Sequence, residues 1–155
     1  MALLKEGALA PMFKGKDQDG NMVSLDDFKG KKVVLYFYPK DNTPGCTTEA
    51  CNLRDNYNDL LKRGFAIVGV SPDSEQSHAK FRDKYDLPFS LIADPDAVIL
   101  NAYGVWGEKN MYGKKYMGVL RTTYIIDESG RILKVIGKVK TGDHTRQILE
   151  ELGIN

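Results

Sequence analysis

The sequence predicts an α/β fold in which a central mixed β-sheet is flanked by helices and preceded by an N-terminal β-hairpin. Three observations carry that reading. Val33–Tyr38 and Phe65–Val70 are continuous apolar runs of strand length, the pattern of buried strands. Segments with apolar residues at helical spacing alternate with them. Turn signals, Asp19-Gly20 near the start and Asp127-Glu-Ser-Gly130 near the end, join further strands into hairpins. Strand–helix alternation followed by a late hairpin and a last helix builds a sandwich around a mixed sheet.

Each element has its own signal. Met12–Lys16 and Met22–Leu25 flank the Asp19-Gly20 turn, and Asp26-Asp-Phe-Lys-Gly30 suggests a short helical turn closed by glycine. After Val33–Tyr38, a helix is expected from about Pro44 to Arg63, ending at Gly64, with Ala50, Leu53, Tyr57, Leu60 and Leu61 as its apolar stripe. Phe65–Val70 follows, then a helix capped by Asp73 or Ser74 and running to Tyr85, with His78, Phe81, Arg82 and Tyr85 on one face. Leu87–Ala93 reads as a strand and Ala97–Tyr103 as a short helix. Val105–Gly118, with Trp106, Met111, Tyr112, Tyr116 and Met117 among glycines and lysines, reads as a long loop. Val119–Ile126 and Ile132–Val139 form the late hairpin, and Asp143–Leu152 the last helix.

The 155 residues fit one domain, 1–155, large enough for a full hydrophobic core. Twenty-two basic against 21 acidic residues leave a net charge of +1. No acidic or basic tail stands out, so nucleic acid and anionic membrane are not expected partners. Lys29–Lys32 and Lys114-Lys115 read as solvated loop lysines. No apolar stretch is long enough to cross a bilayer, and the start lacks the apolar core of a signal peptide, so the expected location is cytoplasmic. In that compartment two cysteines point to redox or metal chemistry rather than a structural disulfide.

The chemistry concentrates in Pro39-Lys-Asp-Asn-Thr43-Pro-Gly-Cys46, directly after a buried strand, with Cys51 five residues on. Thr43 then Pro44 reads as an N-cap and first helical residue, which puts Cys46 in the first helical turn. Backbone N–H groups there lack intrahelical partners and the helix dipole favours negative charge, so a thiol at that place has its nucleophilic thiolate stabilised. Gly45 leaves room for close backbone approach by a substrate. Cys46 lies four residues before Ala50 and continues the apolar stripe, whereas Cys51 sits about 100° around the helix from Ala50, on its flank. Helical rise alone separates the two Cα atoms by about 7.5 Å, beyond the roughly 4.4–6.8 Å of a disulfide. The pair closes only if the helix unwinds locally, which suits a reversible switch better than a permanent staple. Cys46 oxidised to a sulfenic acid would condense with Cys51, and an external dithiol would reduce the strained product.

Pro39-x-x-x-Thr43-x-x-Cys46 resembles the peroxidatic signature of the peroxiredoxins, and Cys51 in the same helix resembles the bacterioferritin-comigratory-protein or PrxQ subgroup. Gly118-Val-Leu-Arg121-Thr-Thr-Tyr-Ile-Ile-Asp127 is similar to the family strand that carries an active-site arginine. The resemblance runs from about Gly7 to Leu152 and implies a thioredoxin-like fold. It further implies thiol-dependent reduction of hydrogen peroxide and organic hydroperoxides. Cys46 would be the peroxidatic nucleophile and Cys51 the resolving cysteine. Thr43 would orient the peroxide, Arg121 would hold the thiolate and stabilise the transition state, and Pro39 would shield the pocket. A Cys46–Cys51 disulfide, recycling by thioredoxin or a similar dithiol protein, a monomeric state and the absence of any metal or organic cofactor come with it.

Other readings compete residue by residue. Arg121 taken alone is an edge-strand charge facing solvent, and Glu49 is either a site neighbour or a solvated helix residue. His78 reads as packed and hydrogen-bonded, His144 as surface, and Trp106 as loop packing. A general thiol–disulfide oxidoreductase would want the missing Cys-x-x-Cys motif. A metal module would have to combine Cys46 and Cys51 with a histidine, and zinc normally takes four ligands at short spacing.

Overall fold

A short hairpin opens the fold. Strands β1 (Lys14–Lys16) and β2 (Met22–Ser24) pair antiparallel. The Asp17 carboxylate accepts the Asp19 and Asn21 amides at 2.9 and 3.0 Å, and Gly20 takes a left-handed φ of 78° that the turn requires. After a 3-10 turn at Leu25–Phe28, β3 (Lys32–Phe37) leads into α1 (Pro44–Asp55) and α2 (Tyr57–Lys62). Then come β4 (Phe65–Ser71), α3 (Glu75–Tyr85), β5 (Ser90–Ala93) and α4 (Val98–Ala102). A second hairpin, β6 (Trp106–Met111) and β7 (Lys114–Val119), precedes β8 (Thr122–Ile126) and β9 (Ile132–Ile136). A 3-10 turn at Thr141–Asp143 and α5 (His144–Glu151) end it. This computed structural model describes residues 3–154; Met1, Ala2 and Asn155, included in the one-domain reading, lie outside the described residues.

The central sheet has the order β5-β4-β3-β8-β9, with β3, β4 and β5 parallel and β8 and β9 antiparallel. Strand alternation splits β3 between two cores. Val33, Leu35 and Phe37 face the β1–β2 hairpin and α4, while Val34, Tyr36 and Tyr38 face the layer of α1, α2, α3 and α5. Cys46 belongs to the second core, with Ala50, Leu53 and Ile148.

Four expectations need correction here. The helix expected over 44–63 is broken at Asn56, whose side-chain amide donates to the Asn52 carbonyl at 2.8 Å and competes with the helical ladder. The restart shifts the helical phase, so Leu60 is fully buried and Leu61, expected on the same stripe, is exposed. The long loop expected over Val105–Gly118 is the β6–β7 hairpin, paired from Trp106–Val119 to Met111–Lys114, so Lys114 and Lys115 are solvated strand residues. Its turn places Tyr112 and Gly113 at φ of 54° and 79°, and its strands show no alternating buried face for a sequence pattern to reveal. Finally, the expected strand Val119–Ile126 is interrupted, with Leu120 and Arg121 lying between β7 and β8.

Candidate active site

The register of the central sheet assembles the site. Phe37, the last residue of β3, pairs with Thr122, the first of β8. The chain therefore leaves β3 toward α1 at the same end of the sheet where Arg121 enters β8, 75 residues after Cys46.

Helix α1 begins at Pro44 with Thr43 in the N-cap position, as its sequence predicts. Its first backbone hydrogen bond runs from the Thr47 amide to the Thr43 carbonyl at 2.8 Å, which leaves the Gly45 and Cys46 amides ahead of it at the positive end of the helix. The Thr43 hydroxyl does not cap the helix. It donates to the Lys40 carbonyl at 2.8 Å, closing the loop on itself and leaving its oxygen lone pairs free to accept.

Arg121 reaches across this helix start. Its Nη2 donates to Cys46 Sγ at 3.2 Å, and its Nη1 to Glu49 Oε1 at 2.7 Å. Cys46 is 1% exposed, while the Arg121 side chain keeps 24% of its surface. Gly45 has a sharper role than expected: a Cβ there would stand 3.2 Å from Arg121 Nη2, so the missing side chain is what lets the guanidinium lie against the helix start. Burial pulls the Arg121 guanidinium down, but Cys46 and Glu49 outweigh it and leave the group above its ordinary range, permanently charged.

Glu49 is fully buried, which excludes the solvated reading. Burial, opposed by the charge and hydrogen bond of Arg121, pushes its carboxyl from 4.5 up to about 7. Its Oε2 has no hydrogen-bond partner among the described residues and lies 3.6 Å from His144 Nε2. His144, expected on the surface, is fully buried because α5 packs its first turn against β8. Its Nδ1 faces the Gln147 side-chain carbonyl at 2.9 Å and so carries the proton, while its Nε2 accepts from the Thr123 hydroxyl at 2.8 Å. Burial lowers it to about 4, against the Gln147 hydrogen bond, and it stands neutral beside Glu49.

Pro39 is half-buried in the loop that leads to Thr43. Cys51 is half-buried on the flank of α1, both cysteines are free thiols, and burial pushes the Cys51 thiol up despite Arg54. On the opposite side of the loop, buried Tyr38, Asp41 and His78 join half-buried Asp73 in a polar group, of which sequence reading anticipates only a packed, hydrogen-bonded histidine. Among the described residues, Asp41, Asp73 and His78 are the set whose atoms lie close enough to share a cation. Neither cysteine belongs to it, and both Asp41 oxygens already accept hydrogen bonds, Oδ1 from Tyr38 and Oδ2 from Ser77. The cysteine–histidine metal module therefore finds no support.

Comparison with known proteins identifies the family. Residues 7–135 match the AhpC/TSA family. Peroxiredoxin Bcp of Bacillus subtilis is 47% identical over 146 residues, 94% of this chain and 93% of that protein. Among solved structures, PrxQ of Xylella fastidiosa superposes with a TM-score of 0.91 at 30% identity, covering 99% of this chain and 98% of that one. The bacterioferritin comigratory protein of Xanthomonas campestris, whose structures concern its alkyl peroxide reduction activity, gives 0.85 at 36% identity over 91% of this chain and 90% of that one. An arginine-bound thiol at a helix start, on a thioredoxin-like sheet shared with these proteins over nearly the whole chain, places this protein in the AhpC/TSA family as a peroxiredoxin, a thiol-dependent peroxidase.

Proposed function

We propose that Cys46 is the peroxidatic nucleophile and Cys51 its resolving partner, in a cycle that reduces hydrogen peroxide and alkyl hydroperoxides. The Cys46 thiolate attacks the terminal oxygen of the peroxide. An S–O bond forms, the O–O bond breaks, and the departing hydroxide or alkoxide takes the electron pair and then a proton from solvent, leaving water or the alcohol and a Cys46 sulfenic acid. Negative charge moves from sulfur to the leaving oxygen, so donors spanning both atoms lower the barrier. Arg121, already bonded to Sγ, supplies such donors with a permanent charge, and the Gly45 and Cys46 amides add two more. The Thr43 hydroxyl has committed its hydrogen to Lys40, so its oxygen accepts the peroxide O–H and fixes which oxygen faces the sulfur. Pro39 covers the loop side of the pocket.

Resolution joins Cys51 Sγ to Cys46 Sγ with loss of water. Cys46 lies in the core and Cys51 on the helix flank, so α1 unwinds locally for this step. A dithiol protein such as thioredoxin then reduces the disulfide. Both cysteines lie in one helix, so no second copy is needed and the protein acts as a monomer, a single domain over 1–155. Among the described residues no helix is long and apolar enough to cross a membrane, which is compatible with the cytoplasmic location expected from the sequence.

The observation that carries this reading is the 3.2 Å Arg121–Cys46 contact at the start of α1. Mass spectrometry of peroxide-treated protein tests it. An intramolecular Cys46–Cys51 disulfide is the expected product, and a sulfenic acid persisting on Cys46 would remove Cys51 from the mechanism. Cys46→Ser should consume no peroxide; unchanged consumption would overturn the assignment altogether.

A further inference from the structure

The loop that carries Pro39 and Thr43 is fastened at its middle to α3 and the end of β4, whereas Arg121 arrives from the start of β8. Asp41 Oδ1 accepts from the Tyr38 hydroxyl at 2.6 Å, and Oδ2 accepts from Ser77 Oγ at 2.8 Å and meets His78 Nδ1 at 2.7 Å. The Asp41 amide donates to Asp73 Oδ2 at 2.8 Å, and Asp73 is itself held by Ser71 Oγ at 2.7 Å. Next in the chain, Asn42 takes a left-handed φ of 61°, and its side-chain oxygen accepts from Lys84 and Tyr85 of α3. Thr43 follows directly, so the position of its hydroxyl is set by what holds Asp41 and Asn42.

His78 is fully buried, and both of its ring nitrogens face acceptors. Nε2 lies 3.0 Å from the Ile92 carbonyl and Nδ1 2.7 Å from the Asp41 carboxylate. A backbone carbonyl only accepts, so Nε2 carries a hydrogen. A second hydrogen then has to lie between Nδ1 and Asp41, since two bare acceptors at 2.7 Å would repel. Asp41 also accepts from Tyr38 and Ser77, and hydrogen bonds to the charged form favour a carboxylate. The hydrogen therefore belongs on the ring.

We infer that His78 and Asp41 form a buried imidazolium–carboxylate clamp that positions the Pro39–Thr43 loop over Cys46, making both of them positioning residues for the peroxide. The inference rests on the peroxidase cycle proposed above. The clamp acts on the peroxide-orienting hydroxyl of Thr43. The cysteine's own activation by Arg121 and the helix start lies on the other side of the loop and does not involve it. Removing the clamp should slow the reaction with peroxide while leaving the sulfur's intrinsic reactivity intact.

Two rates measured on the full-length protein make this test. In Asp41→Asn and in His78→Gln, the second-order rate constant for hydrogen peroxide should fall about 10- to 100-fold, the scale of a misplaced orienting group. Alkylation of Cys46 by iodoacetamide, which needs the thiolate but no peroxide orientation, should stay within about twofold of wild type. Equal loss of both rates, or loss of neither, overturns the inference. Should both variants fail to fold, nitrogen-15 NMR of the wild-type His78 ring decides: two protonated nitrogens at neutral pH are expected, and a bare Nδ1 refutes the clamp. Wild-type protein that consumes no peroxide would sink the peroxidase cycle itself. An active wild type matched by Asp41→Asn sinks only the clamp.

Discussion

Two buried histidine–carboxylate clusters flank the segment from Tyr38 to Glu49, and they treat protons in opposite ways. On one side Asp41 is fully satisfied, with donors on both oxygens and a histidine that faces acceptors at both nitrogens. On the other, Glu49 shares a single arginine with Cys46, keeps one buried oxygen without a partner among the described residues, and stands beside a neutral histidine. The residue types are nearly the same; the count of donors differs. A buried charge with every lone pair occupied has one low-energy arrangement and serves as an anchor. A half-satisfied one, pushed to about 7 by burial, responds to pH. The stiff cluster fixes the loop, and the responsive one is joined to Cys46 through Arg121.

The largest contrast between the clusters should lie in catalysis. Arg121→Ala removes the donor from the sulfur, and the rate constant for peroxide should drop about 10²- to 10³-fold, the usual loss for one transition-state donor. Iodoacetamide alkylation of Cys46 should slow in this variant as well, unlike in Asp41→Asn. A normal alkylation rate would mean that Arg121 acts on peroxide alone.

Stability should separate the clusters next. Asp41→Ala strands the Tyr38, Ser77 and His78 donors in the core and should cost about 3 kcal/mol in urea denaturation at neutral pH. Glu49→Gln should cost less than about 1 kcal/mol there, because a neutral amide suits a site that already resists ionisation. Equal losses would erase the distinction between anchor and responsive site.

The pH dependence carries a sign. Folded Glu49 keeps its proton up to about pH 7, while its unfolded counterpart loses it near 4.5, so this residue makes stability fall as pH rises between those values. The difference is worth roughly 3 kcal/mol. Folded His144 takes up a proton only near 4, against 6.5 when unfolded, so it makes stability rise with pH over 4 to 6.5. The two contributions oppose one another in the wild type. Urea midpoints of Glu49→Gln should therefore climb between pH 4 and 6.5, where the wild-type profile is much flatter, and parallel profiles would contradict the assignment.

The smallest effect belongs to Gly45→Ala. The helix gains a better former, but the new Cβ meets Arg121 Nη2 at 3.2 Å. Peroxide turnover should fall about threefold to tenfold through the displaced guanidinium, with the melting temperature moving only a few degrees. An unchanged rate would show that Arg121 has room to yield.

Much of this molecule was legible from local pattern. Continuous apolar runs located β3 and β4, and the Thr43-Pro44 start of α1, with Cys46 turned inward and Cys51 on the flank, followed from helical spacing. Other elements escaped for identifiable reasons. The β6–β7 hairpin buries residues only at its base, so its strands carry no alternation, and a tyrosine at positive φ is not a turn signal. The break at Asn56 depends on a side-chain amide choosing the Asn52 carbonyl over water, which spacing does not encode.

By itself, then, the sequence determined the buried strands β3 and β4, the place of Cys46 in the first helical turn and the polarity of the helix that presents it, because each depends on residues within a few positions of one another. Tertiary structure alone decided the partners of that cysteine. Pairing of Phe37 with Thr122 delivers Arg121 to Cys46, and packing of α5 and α3 buries His144 and His78 on either side of it. Whether a buried carboxyl ends as an anchor or a titrating neighbour depends on how many donors reach it from distant strands and helices, and no local window of sequence contains that count.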